Sequence, residues 1–331
     1  MRMNELVRVL LMSACTASLA PCVQGAQSNA GAFPNHPVRL VIPYAPGGAT
    51  DTSARPLAEK LRERWGQPVI VDNRPGASGN IALEIAATAA PDGHTLLVGN
   101  VSTNAINESI FKTNLKASRD LTGVTNLIEL PHIWAVSTAI PANSLREFVD
   151  YAKKSPKPLN YGSAGVGSYP HLDALVFLKQ TGLTMTHVPY KGGAGQMIPA
   201  MMGNEVQFMF VNLGNTLAQV KAGRIKALAT SWPTRRPELP DLPTVAEAGF
   251  PGMGTNAWNG LFAPAKIPPA LLNRIFTDVV QIMESAETKE LLGKALMSVV
   301  VNKSPAEYQK FVEAQAKKWH QVVLENNVKV E

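Results

Sequence analysis

The chain has 331 residues, with 31 Lys and Arg against 25 Asp and Glu, a formal net charge of +6, 6% aromatic residues and two cysteines. That length suffices for two ordinary domains with their own cores. The mild basicity is spread along the chain without a block of like charges, and aromatics are scarce, which argues against a nucleic-acid partner and leaves a weak attraction for small anions.

Arg2 and Arg8 precede an apolar run over 9–20, and Val23-Gln24-Gly25 offers small residues for cleavage. This reads as a secretory signal over 1–25, shorter than the roughly 20 apolar residues that span a bilayer. Cys15 and Cys22 both fall inside it, so the mature chain is expected to have no disulfide, thiol catalyst or cysteine metal site.

Strand and helix patterns then alternate. A strand over 38–42 enters the loop Pro43-Tyr44-Ala45-Pro46-Gly47-Gly48-Ala49-Thr50-Asp51, followed by a helix, a strand over 69–71, a helix over 80–89 and a strand over 95–98. Pro56 would disrupt a helix begun at Thr50 by about 3 kcal/mol, so the first helix is expected to start at Thr52 or Ser53, or to kink. A second unit carries helices over 145–153, 171–180, 194–202 and 216–222, with strands over 159–162, 185–188, 206–210 and 227–230. The chain then crosses back through 256–264 to helices over 269–285 and 305–325. Alternation of this kind implies sheets with parallel strands covered by helices, here in two α/β lobes.

Each lobe opens with a glycine loop between a strand and a helix. The second loop is Gly162-Ser163-Ala164-Gly165-Val166-Gly167-Ser168. A strand that turns through glycines into a helix start presents free backbone N–H groups, which favour an anion. The candidate binding residues are therefore Tyr44, Ala45, Pro46, Gly47, Gly48 and Asp51 on the first loop, and Ser163, Gly165, Gly167 and Ser168 on the second. Asp51 either orients the loop or a water, or simply caps the helix. Asn100 and Ser102, with Thr103, follow a strand and so lie at the carboxyl edge of a parallel sheet, where ligands gather. His171 opens a helix, Asn212 follows the 206–210 strand, and Trp258 falls on the return crossing, where hinge packing outweighs ligand contact.

Enzymatic patterns fail on spacing. The second loop is not G-x-G-x-x-G, no Lys-Ser or Lys-Thr follows it, and neither Ser163 nor Ser168 has glycines on both sides at the elbow spacing. The six histidines make no i, i+3 or i, i+4 pair, which removes helical zinc patterns. No catalytic residue, metal ligand or cofactor is assigned, and an exported hydrolase remains only as a site assembled in space.

The stretches Tyr44-Ala45-Pro46-Gly47-Gly48 with Asp51, 71–80, Asn160-Tyr161-Gly162-Ser163 with His171-Leu172, 187–192 and 242–249 carry a resemblance across nearly the whole mature chain. It resembles the Bug family, the periplasmic solute receptors of tripartite tricarboxylate transporters. The resemblance implies a two-lobed periplasmic binding fold, a type II-like clamshell hinged by two crossover strands. Its lobe 1 would be 26–130 with 260–331, and its lobe 2 would be 131–259. The implied function is capture of a small organic carboxylate between the lobes by a monomer that serves membrane permease subunits. A sensor presenting its closed form to a membrane signalling partner needs the same fold. Relatives often carry an aspartate where this chain has Val211. Few basic pocket residues favour one or two carboxylates over three, unless Arg74 or Lys191 turns inward.

Overall fold

The computed structural model describes residues 33–190 and 193–329. The expected signal segment, both cysteines and Lys191 lie outside the described residues. Among these, no helix is long and apolar enough to cross a membrane.

The chain runs β1 (Val38–Ile42), α1 (Ala49–Trp65), β2 (Val69–Asn73), α2 (Asn80–Ala87), β3 (Thr95–Asn100), a π-helical turn (Ser102–Ile106), α3 (Asn107–Ile110), α4 (Ala117–Asp120) and β4 (Leu121–Leu130). It continues with β5 (His132–Ser137), α5 (Leu145–Lys154), β6 (Asn160–Ser163), α6 (Tyr169–Thr181), β7 (Thr186–Pro189), α7 (Ala194–Met202), β8 (Phe208–Asn212), α8 (Leu213–Lys221) and β9 (Ile225–Thr230). It closes with β10 (Ala257–Pro264), α9 (Pro269–Glu284), α10 (Ala286–Lys294), β11 (Ser298–Val299) and α11 (Pro305–Glu325).

Two sheets result, ordered β11-β4-β10-β3-β1-β2 and β7-β6-β8-β5-β9. β1 pairs in parallel with β2 and β3, and β6 with β7 and β8, as the alternating patterns imply. The strands near the crossings run antiparallel: β10 to β3 and β4, and β5 to β8 and β9. Pro131 alone separates β4, in the first sheet, from β5, in the second, while β9 returns to β10 through 231–256.

The two crossings bond to each other. His132 N–H donates to Ser231 Oγ at 3.0 Å, and Ser231 N–H to His132 O at 2.9 Å. Asn256 accepts from Ser231 Oγ at 2.8 Å and donates to Glu129 Oε2 at 3.1 Å.

Period-two alternation sorts the first sheet's side chains: Val38, Leu40 and Ile42 join Leu57 and Leu61 of α1 and Ile275 and Val279 of α9, while Val41 and Leu97 face α2 and the π-helical turn. The second sheet stacks Trp134 against Phe177, Phe208 and Phe210, with centroids 4.3–5.2 Å apart. Serine caps set several helix starts. Ser144, Ser285 and Ser304 accept the N–H three residues on, and Glu147 and Glu307 return the bond to the backbone of Asn143 and Lys303.

One expectation is corrected. α1 begins at Ala49 and runs through Pro56, which sits inside the helix. Pro56 leaves the Thr52 carbonyl without its helical donor, and Thr52 and Pro56 share a half-exposed face of the helix.

Candidate ligand cleft

β1 delivers Tyr44 and the first glycine loop to the carboxyl edge of its sheet, and β6 delivers the second loop to the edge of the other. Between them lies a cavity of ≈ 460 Å³, within the range of small-molecule sites. Its lining takes Tyr44, Ala49 and Thr50 from the first loop and helix start, and Ala164, Val166, Gly167 and Ser168 from the second. Asn100 and Ser102 come from the β3 edge, and Ala257 and Asn259 from β10.

Both helices that end on the cavity lack a side-chain cap. In α1 the first helical bond is Thr52 N–H to Gly48 O at 2.9 Å, so the N–H groups of Ala49, Thr50 and Asp51 have no intrahelical partner. α6 offers fewer. Pro170 carries no N–H, Ser168 N–H is spent on Gly165 O at 3.1 Å, and Gly167 N–H on His171 Nδ1 at 3.1 Å. Asn100 Oδ1 accepts from Thr103 N–H at 3.1 Å and from Tyr44 OH at 3.4 Å, so its amide nitrogen is the unspent end. Burial pushes the Tyr44 hydroxyl pKa up, outweighing its side-chain hydrogen bonds with Asn100 and Ser102, so the phenol stays neutral.

Asp51 lies buried behind the loop and does not line the cavity. It accepts from Gly47 N–H at 2.9 Å, Asn73 Nδ2 at 3.1 Å and both arms of Arg55 at 2.8 Å. Burial alone would raise its pKa, but the bonds from Arg55, Gly47 and Asn73 together hold it below the ordinary carboxylate value. Asp51 thus braces the glycine loop. Asp51→Ala removes the acceptor of Gly47 N–H and Arg55 and one of the two acceptors of Asn73 Nδ2, and is expected to remove about 2 kcal/mol of stability. A melting midpoint equal to wild type would refute the brace.

The other sequence-predicted residues divide clearly. Ala45, Pro46, Gly47 and Gly48 form the exposed approach to α1, beside the lining. Ser163 is fully buried beneath the second loop, where its Oγ meets Gly165 N–H at 3.1 Å and His187 Nε2 at 2.7 Å. Gly165 turns that loop at φ 120°. His171 is buried and stacked on His187 at 4.2 Å; burial, and then the neighbouring His187, lower its pKa to about 3. Ser163 and His187 resemble a nucleophile and base, but the serine is sealed from the cavity and spent on its own loop. Asn212 lies away from the cavity at the start of α8, Val211 is core of the second sheet, and Trp258 is buried among Phe262, Tyr308 and Phe311.

The lining residues that sequence reasoning missed include Thr50, Val101, Asn107, Ile110, Phe111 and Leu130. Thr50 was lost with the misplaced start of α1; the others hang on the π-helical turn and on β4, which no periodicity marks. His36, Asp92 and His94 bring ligand atoms within 4.8 Å of one another, but the two imidazoles stack face to face at 3.6 Å, so their in-plane lone pairs do not converge on one point.

Two sheets flanked by helices, joined by paired crossings, with a ligand-sized cleft between two glycine loops, define the two-lobed fold of periplasmic binding proteins. Residues 53–328 match the family model of the tripartite tricarboxylate transporter family receptor, and the chain belongs to that family. BugT of Bordetella pertussis is 30% identical over 100% of both chains. A Rhodopseudomonas palustris protein solved with adipate superposes with a TM-score of 0.78 at 32% identity, covering 90% of this chain and 99% of its own. MatC of the same organism, solved with bound malate, gives 0.74 at 31% identity, covering 88% and 100%.

Proposed function

We propose that this chain is a periplasmic solute receptor that captures a small organic carboxylate between its two lobes and presents it to the membrane permease subunits of a tripartite tricarboxylate-type transporter. It is exported by the segment over 1–25, acts as a monomer and performs no covalent chemistry. Lobe 1 is 26–130 with 260–331, and lobe 2 is 131–259. The observation that carries this reading is the cleft itself, where uncapped N–H groups of α1 and α6 end on one cavity of ≈ 460 Å³. Such groups hold a carboxylate by charge-assisted bonds and the helix dipoles, each helix contributing roughly 0.3 to 1 kcal/mol at an exposed end and more when closure excludes water. Relatives solved with adipate and malate support the ligand class.

A thermal-shift screen of the processed protein against carboxylates and their amides tests it. A ligand at about 100 times its Kd adds about 2.7 kcal/mol, a shift of several degrees, while the matching amide stays silent. Equal shifts from acid and amide would remove the carboxylate from the reading. Deleting the gene should abolish uptake of the same acid, and unimpaired uptake would remove the transport role.

A further inference from the structure

Two asparagines stand side by side where β3 and β10 reach the cleft. Asn100 and Asn259 are direct partners in the antiparallel pairing of these strands, so their side chains share one face of the sheet with Cβ atoms about 5 Å apart, and both line the cavity. Their neighbours fix the orientation of each amide. Asn100 Oδ1 accepts from Thr103 N–H at 3.1 Å and from Tyr44 OH at 3.4 Å, which leaves Asn100 Nδ2 as an unspent donor. Ser53 Oγ gives its proton to Thr50 O at 3.0 Å, so it accepts from Asn259 Nδ2 at 3.3 Å and leaves Asn259 Oδ1 as an unspent acceptor.

The other polar groups of the lining do not combine the two senses. The hydroxyls of Thr50, Ser78 and Ser102 rotate to suit either a donor or an acceptor. Ser168 Oγ gives its proton to Gly165 O at 2.7 Å and is left as an acceptor on the second loop. Asn107 Nδ2 is spent on Ser78 O at 2.9 Å and Asn80 Oδ1 at 3.0 Å, and Asn107 also lines an adjoining cavity of ≈ 630 Å³, so its carbonyl is not committed to the cleft.

A carboxylate offers acceptors alone. It satisfies Asn100 Nδ2 and leaves Asn259 Oδ1, on a residue only 2% exposed, without a donor once a ligand fills the cleft. A hydroxyl accepts from the first and donates to the second through a single oxygen. An ammonium donates only, and would turn its charge toward Asn100 Nδ2. Asn259 is tied to Ser53, next to the first turn of α1 whose free N–H groups attract the anion, so such a hydroxyl lies on a carbon near the carboxylate.

We infer that Asn100 and Asn259 act as a donor–acceptor pair that reads a hydroxyl close to the ligand's carboxylate, and that this receptor selects hydroxycarboxylates over their unsubstituted parents. This rests on the carboxylate-receptor reading above and narrows it. It concerns the hydroxyl, and holds for mono- and dicarboxylates alike.

The test is calorimetric titration of the refolded, ligand-stripped protein with acids that differ by one hydroxyl: lactate against propionate, malate against succinate and mandelate against phenylacetate, with alanine and aspartate as amino counterparts. In at least one pair the hydroxy acid is expected to bind about tenfold or more tightly than its parent, because the parent leaves a buried acceptor unpaired. Parents that bind as tightly as their hydroxy acids in every pair would overturn the hydroxyl selectivity and leave the carboxylate receptor standing, as would amino acids that bind more tightly than both. Binding by no acid of any class would overturn the receptor reading itself and the selectivity with it. Asn259→Leu removes the acceptor and should lower the hydroxy-to-parent affinity ratio about tenfold, toward one, which a general weakening of the fold would not do. Asn259→Asp keeps an acceptor and should retain a ratio above one while repulsion weakens both acids. A wild-type ratio in Asn259→Leu, or a ratio of one in Asn259→Asp, would overturn the assignment of the pair.

Discussion

Taking the protein from neutral pH to about pH 4 is expected to remove on the order of 3 kcal/mol or more of folding stability, because His132 and His171 are buried and His187 half-buried in their neutral form. His132 sits at the crossing of the two lobes with its Nδ1 on Leu130 O at 3.0 Å and its ring stacked on Phe210. Burial lowers its pKa to about 4 despite that hydrogen bond. Burial lowers His171 to about 3 and depresses His187 as well. Between the ordinary value of 6.5 and these folded values, the unfolded chain takes up protons that the folded chain refuses. Stability is therefore complete above about 6.5 and is lost as pH falls toward 4. Asp173 opposes this. Burial raises it to about 6 against Lys318 and the bonds from Thr255 and Tyr169, so its neutral form gains stability for the fold as pH falls below that value. Three groups outweigh one. Urea midpoints measured across this range should drop on the acid side, and His171→Gln, which keeps an acceptor for Gly167 N–H but no titrating ring, should flatten the drop. Asp173→Asn should steepen it, since Thr255 N–H and hydroxyl both bond one oxygen that an amide can supply. A pH-independent midpoint would dismiss the buried-neutral assignment.

The sequence made the alternating parts of the fold legible and left the continuously buried parts dark. α7 and α11 have the expected bounds, and β1 is framed by its own apolar run. In the two helices one face is wet, so polarity alternates with the period of the element, while β1 is a short apolar run bounded by prolines. β4 and β5 have almost every residue buried, including Thr125, Asn126 and His132, so no alternation betrays them. The alternating pattern implied two crossovers without marking the residues of the one they form. In the cleft, the glycine loops were readable because glycine and a following helix state a backbone geometry. The roles of Asp51 and Ser163 were not, since whether an oxygen faces ligand or its own loop depends on Arg55, Asn73 and His187, remote in sequence or silent in pattern. The apolar part of the lining was invisible for a related reason: Ile110 and Phe111 are ordinary hydrophobics until the π-helical turn aims their segment at the cavity.

Gly260→Ala is expected to be the most disruptive glycine-to-alanine change among the described residues, lowering stability by about 3 kcal/mol or more. Gly260 lies in β10 between Gly99 of β3 and Asn126 of β4, in the middle of the first sheet. A Cβ there would overlap the hydroxyl and ring of Tyr308 outright and approach Thr125 O to 3.1 Å. Tyr308, from the first turn of α11, is fully buried and also lies across Gly123 of β4, whose Cβ would meet its ring at 2.8 Å. Two glycines on neighbouring strands thus form the bed on which an aromatic from the C-terminal helix rests, with Trp258, Phe262 and Phe311 around it. The ring is too well packed to move without displacing them, which is why one methyl is felt so strongly. The Tyr308 hydroxyl finds no hydrogen-bond partner among the described residues. Tyr308→Phe should therefore stabilise the protein by about 1 kcal/mol, by removing a buried polar atom that folding strips of water. It also deletes the atom that Gly260→Ala strikes first, so the double variant should be more stable than the sum of the single effects predicts. Denaturant midpoints of the four proteins decide this, and strict additivity would mean that the methyl is accommodated by strand movement instead of by displacement of Tyr308.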